Sequence, residues 1–264
     1  MDKLQFFIPI LLGWAVGLAV NYLSDVLPAT RMLSQPACPN CNSNYATTDY
    51  LLFQACKTCG RRRSIRTWVI MAAMVGLSVY VWMAPPKLLG YYPGLLLLAY
   101  FGVVFVIDLE NRLILHPTSI FGAILGLGIG WKSHGLVPTL IGGLFGFGIM
   151  YALYYLGILF SKYRARKMNE AGREADDEEA LGGGDVILGG ILGLTLGWPL
   201  IWFGLLLGVL AAGIFGAVLI VIMLIRQKYR EQAMMLFIPY GPFLISSAFF
   251  VIFLPHLVRV IVPN

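Results

Sequence analysis

The chain has 264 residues, of which 59% are apolar and only 12% charged, with a mean hydropathy of +0.79. Soluble domains are about 45–50% apolar and about 25% charged, so a single water-soluble globule is excluded. The net charge of +6 would suit a polyanion, but membrane proteins collect Lys and Arg in their cytoplasmic loops, and no nucleic-acid partner is expected.

Crossing a hydrocarbon core takes about 20 mostly apolar residues per helix. Apolar runs near 4–23, 67–84, 91–109, 114–131, 137–160, 186–197, 200–225 and 238–261 therefore predict an all-α polytopic membrane protein of about eight transmembrane helices. The first run opens Met1-Asp2-Lys3 and has no small-residue cleavage site before Asp25, so it is expected to be the first membrane helix, over 1–23, rather than a cleaved signal. A four-cysteine domain over 24–66 and a membrane-embedded domain over 67–264 follow. With the N-terminus outside, fifteen Lys and Arg fall in the cytoplasmic segments 24–66, 110–113, 161–185 and 226–237. Only Lys3, Lys87, Lys132 and Arg259 fall on the other side, as the positive-inside bias requires.

The segment 38–59 reads Cys38-Pro-Asn-Cys41, fourteen residues, then Cys56-Lys-Thr-Cys59. Each C-x2-C turn aims two thiolates at one ion, and two turns supply a closed tetrahedral shell, so a structural zinc is expected. The predicted cytoplasmic side disfavours disulfides, which points the same way.

Farther along, Gly142, Gly143, Gly146 and Gly148 of the fifth run suit close helix packing in lipid. Lys162 to Glu179 is dense in charge and is expected to be a solvated cytoplasmic loop over 161–184, its acidic half running Glu174-Ala-Asp176-Asp177-Glu178-Glu179. Within 186–225, Gly197-Trp198-Pro199 suggests a turn between two spans, with one long kinked helix as the alternative.

Two of the thirteen acids stand apart from the loops. Asp108 ends the third run, and Asp185 opens the sixth after Gly182-Gly183-Gly184. Both fall at the predicted cytoplasmic boundary. Acids beside long apolar runs tend to face the bundle interior and to carry function. If the two converge, both do not ionise comfortably, and a shared-proton pair can activate water against a peptide carbonyl. The glycines let an extended peptide approach the acid closely and are read as substrate-binding. Glu110 is expected to be solvated. No H-E-x-x-H motif and no Ser–His arrangement competes, and His116, His134 and His256 are poorly placed for catalysis.

Taken together, these residues resemble the type IV prepilin peptidase family of G-x-G-D intramembrane aspartic proteases. Gly17-x3-Asn21 with Leu27-Pro28 is similar to its first-helix motif, the paired knuckles to its cysteine domain, and Ile107-Asp108 with Pro117 to its first catalytic motif. Gly182-Gly183-Gly184-Asp185, continuing to Gly197-Trp198, resembles its second, and Ile238-Pro239-Tyr240-Gly241-Pro242-Phe243 its last-helix signature. The resemblance implies an enzyme of the bacterial inner membrane with Asp108 and Asp185 catalytic. Its substrates would be prepilins or pseudopilins of type IV pilus and type II secretion systems, cut after a Gly at the end of a short basic leader. It also implies an S-adenosylmethionine-dependent N-methyltransferase activity. For that second activity the chain departs from the pattern: the linker between knuckles is short, the Glu-Asn-x-Pro element is missing, and Val26, Thr118 and Arg66-Thr67-Trp68 replace expected residues. From another class, a transporter or a secretion or pilus assembly scaffold with a zinc-knuckle docking domain would also place acids in a membrane.

Overall fold

A computed structural model describes residues 3–170, 182–225 and 239–255. After a 3-10 turn, Lys3–Phe6, come α1 (Phe7–Thr30), the short α2 (Thr47–Leu51), α3 (Ile65–Met83), α4 (Tyr91–Asn111) and α5 (His116–His134). These are followed by α6 (Leu136–Glu170), α7 (Gly183–Leu196), α8 (Leu200–Ile225) and α9 (Gly241–Phe253). Each of the eight apolar runs contains a helix among its described residues, and the described residues contain no strand. Five helices, α1, α3, α4, α6 and α8, are long and apolar enough to cross a membrane, which makes this a multi-pass membrane protein. The other three differ for separate reasons. Four glycines, two histidines and a lysine dilute the hydropathy of α5, while the 14 residues of α7 and the 13 of α9 rise only about 20 Å.

The chain divides into two compact units, Met1–Phe121 and Gly122–Asn264. In the first, α1 packs on α3 and α4. Lipid tails are as apolar as Leu, so helices in a membrane associate through close packing rather than through the hydrophobic effect. Small residues allow that approach: a Cβ on Gly13 would lie 2.8 Å from the Val75 Cα, and one on Gly17 would lie 2.8 Å from the Met71 sulfur. Val20, Leu27, Ile70, Met74, Val103, Ile107 and Leu115 fill the space between these helices. The buried Asn21 amide ties α1 to α3 by donating to the Gly17 and Thr67 carbonyls at 3.0 and 3.3 Å. Helix α1 runs past the expected residue 23 and stops at Arg31, whose left-handed backbone (φ +56°) turns its N–H back onto the Leu27 carbonyl.

In the second unit, α7 packs chiefly on α6 and also meets α8 and α9. The α6–α7 crossing is backbone against backbone. A Cβ on Gly142 would stand 2.5 Å from the Gly193 carbonyl oxygen, and one on Gly146 would collide with the Gly189 carbonyl. Gly143 faces the Leu194 side chain, so three of the four glycines expected to pack do so. Gly148 meets nothing within 4 Å.

Two expectations are resolved or corrected. Residues 186–225 form two helices rather than one: α7 ends where Gly197 takes φ +66°, and the Trp198 N–H leaves the helix for the Pro138 carbonyl at 2.9 Å. The segment expected to be a loop over 161–184 is helical as far as Glu170, because Lys162 to Glu170 contains good helix formers and neither Gly nor Pro. The acidic run Glu174 to Glu179 lies outside the described residues, as do the segment 226–237, Ile238 and His256.

Candidate functional site

The four cysteines, distant in sequence, come together within the first unit. Their sulfurs all lie within 4.8 Å of one another, and none is in a disulfide. Two matching turns bring this about. The Cys38 N–H donates to the Ser43 carbonyl (2.9 Å) and the Asn42 N–H to the Cys38 carbonyl (2.9 Å). In the second turn the Cys56 N–H donates to the Arg61 carbonyl (3.0 Å) and the Gly60 N–H to the Cys56 carbonyl (2.8 Å). Asn42 and Gly60, each four residues after its first Cys, are both left-handed, at φ +53° and +69°. These two residue types adopt that conformation most readily.

The turns also aim backbone N–H groups at sulfur. Those of Asn40 and Cys41 reach the Cys38 sulfur and hold its thiol below the usual range. For Cys56, the Ser43 hydroxyl, then the Cys59 and Thr58 N–H groups, bring the thiol down to about 5. Cys38 and Cys56 thus favour thiolate, the metal-binding form, whereas burial and contact with the other three sulfurs push the Cys59 thiol up to about 11. Sulfur separations of 3.7 Å for Cys38–Cys59 and 3.6 Å for Cys41–Cys56 match the edge of about 3.8 Å that four sulfurs at about 2.3 Å from a tetrahedral ion would have. The cluster can hold a metal ion. Four protein ligands leave no coordination position for substrate, so such an ion would be structural.

A polar network that sequence spacing did not reveal joins this cysteine module to the helices. Cys38 and Cys56 pack with Tyr45 and Tyr50. The Tyr50 hydroxyl donates to Asp25 near the end of α1, and Arg66, in the first turn of α3, pairs with the same carboxylate. Arg66 Nε also stands 2.5 Å from Glu110 Oε1 at the end of α4, a charge contact rather than an aligned hydrogen bond. Glu110 is exposed, as expected, and is also paired, because α3 begins beside the end of α4. Arg63 lies over the Tyr50 ring at 3.6 Å and the Tyr45 ring at 4.9 Å, and donates to the Tyr50 carbonyl at 3.2 Å.

Asp108 belongs to the first unit, two residues before Glu110. It is buried in the last turn of α4, next to the core residue Ile107. Its carbonyl accepts the N–H of Arg112, whose left-handed backbone (φ +54°) ends the helix there.

Asp185 belongs to the second unit. It is the third residue of α7 and is buried, and its N–H donates to the Gly182 carbonyl at 3.1 Å. A carboxylate in a first helical turn is favoured by the helix dipole, typically by about 0.3–1 kcal/mol. Gly182 supplies the extended residue before the helix, at φ −79° and ψ 145°, and Gly183 and Gly184 begin it. A Cβ on Gly183 would meet nothing within 4 Å, so packing in its own unit does not demand glycine there. The buried core of α7 continues as Val186, Leu188, Ile191 and Leu192, which anchors the aspartate's helix along its length.

No curated protein and no solved structure matches the chain at a significant level. Residues 95–221 do match the type IV leader peptidase family. The matched stretch starts within α4, ends within α8, and includes both aspartates and the three glycines. The resemblance read from the sequence motifs is thus borne out over residues 95–221, where the chain is similar to the type IV leader peptidase family.

Proposed function

We propose that the chain is a membrane aspartic endopeptidase that removes the short basic leader of type IV prepilins or pseudopilins at the cytoplasmic face of the bacterial inner membrane. The observation that carries this reading is the family match over residues 95–221, which spans two aspartates each buried at a helix end beside long apolar segments. Asp108 and Asp185 act as the catalytic pair. The ionised carboxylate takes a proton from water as the water oxygen attacks the scissile carbonyl carbon, while the protonated partner hydrogen-bonds to the carbonyl oxygen. Collapse of the tetrahedral intermediate breaks the C–N bond, and the departing amine takes up the proton that the carboxylate had taken from water, which restores the pair. Gly182, Gly183 and Gly184 admit the extended backbone of the substrate, and the room around Gly183 supports that role.

Zinc is the ion proposed for Cys38, Cys41, Cys56 and Cys59, where it would fix the fold of the module and supply no catalytic step. S-adenosylmethionine-dependent methylation of the new N-terminus, which the family resemblance implies, is tested separately, because the chain departs from the family pattern in the residues associated with it.

The test is the full chain in lipid vesicles with a prepilin bearing a Gly-ending basic leader, followed by mass with and without S-adenosylmethionine. Cleavage after the Gly supports the peptidase, and a further mass gain of one methyl group supports the methyltransferase. An intact prepilin under conditions where the chain is folded overturns the proposal.

A further inference from the structure

The cysteine module carries an apolar tip that the peptidase reading does not use. At the end of α2, Leu51 is 40% and Leu52 68% exposed, and Phe53 has a left-handed backbone at φ +56°. A bulky residue adopts that conformation only where its surroundings hold it. Two tryptophans hold it here. The Phe53 ring stacks on Trp68 of α3 with centroids 4.9 Å apart and meets Trp14 of α1 edge-on at 5.8 Å.

Those two tryptophans belong to membrane-spanning helices, and both rings are exposed in the protein itself. On α1, Phe7, Leu11 and Trp14 recur at the spacing of one helix face and are all exposed, so this face meets lipid. Lower on the same face, Tyr22 and Asp25 are covered by Tyr50 of the module. Tyr22 and Trp14 are eight residues apart, about 12 Å along the helix axis. In three residues, from Tyr50 to Phe53, the module therefore passes from the polar Asp25 end of α1 toward its lipid-facing middle. Leu51 and Leu52 lie on that descent with their side chains uncovered.

We infer that the Leu51-Leu52-Phe53 tip is a membrane-contacting element, inserted into the acyl edge of the leaflet that surrounds α1 and α3. The occupant of its apolar surface is lipid, because the tip continues the lipid-facing surface of two spanning helices. Interfacial elements of this kind sink about 5–10 Å below the headgroup boundary and favour aromatic residues there. The cysteine module is on this account a wedge anchored at the bilayer, not a domain held clear of it.

The test uses the full chain in phosphatidylcholine–phosphatidylglycerol vesicles, with benzoylphenylalanine introduced at position 52 and, in a second variant, at position 51. Asn40, exposed on the first knuckle, is the control position. After illumination, lipid adducts are expected at 52 and 51 at severalfold higher yield than at 40. The variant at 51 provides the reading if position 52 does not tolerate the label. Adducts only to a second protein copy, or lipid yields no higher than at position 40, would overturn the inference.

Discussion

Replacing Arg66 by Ala probes the link between the cysteine module and the helix of Asp108. Arg66 pairs with Asp25 and stands 2.5 Å from Glu110, and its own side chain is 25% exposed, against 27% for Asp25 and 40% for Glu110. Ion pairs this open to solvent contribute roughly 0.2–1 kcal/mol each. Asp25 would keep the Tyr50 hydroxyl and an Arg63 nitrogen at 3.9 Å, so no carboxylate is stranded. The expected destabilisation is about 1 kcal/mol. Arg63→Ala removes a side chain only 10% exposed that lies on two tyrosine rings and donates to the Tyr50 carbonyl. Its cost should be about 3 kcal/mol, combining about 2 for desolvated cation–π contact with about 1 for the hydrogen bond. The assay is denaturant titration of the full chain in micelles, read by the alkylation of Cys38, Cys41, Cys56 and Cys59. An Arg66→Ala effect equal to or larger than that of Arg63→Ala would refute the reasoning. A double-mutant cycle with Glu110→Gln should return a coupling of a few tenths of a kcal/mol to about 1 kcal/mol.

Two further predictions follow from the packing and the metal centre. Gly146→Ala drives a Cβ into the Gly189 carbonyl and should destabilise by about 1–3 kcal/mol or more, whereas Gly148→Ala meets nothing and should be neutral or stabilising by up to about 1 kcal/mol. Thermal unfolding of the two variants in micelles separates them, and equal effects would contradict the α6–α7 crossing. Purified chain should contain about one zinc, and Cys38→Ser should lose it and open the remaining thiols to alkylation. Metal-free protein with all four native thiols freely reactive would contradict the zinc assignment.

Much of this was legible in the sequence because the signals were local. Long apolar runs became helices, and the C-x2-C spacing became two turns of matching hydrogen-bond pattern, with sulfurs of one turn 3.6–3.7 Å from sulfurs of the other. The acids at the ends of apolar runs became buried residues at the end of α4 and the start of α7. What was not legible depends on tertiary placement. Arg66 meets Asp25 across 41 residues and Glu110 across 44, and no spacing rule links charges so far apart. Nor did the pattern around Phe53 announce that its ring would lie between Trp14 and Trp68. The charge-dense stretch after Lys162 shows the opposite limit: its polarity suggests a loop, but a charged segment free of Gly and Pro can extend a helix.

The central claim is that Asp108 and Asp185 are the catalytic pair, and single Asn substitutions test it most directly. Asn keeps the size of each side chain while removing the carboxylate that exchanges protons. In vesicles containing a Gly-ending prepilin, Asp108→Asn and Asp185→Asn should each abolish leader cleavage while the chain still inserts and retains its metal. Full processing by either variant would contradict the account.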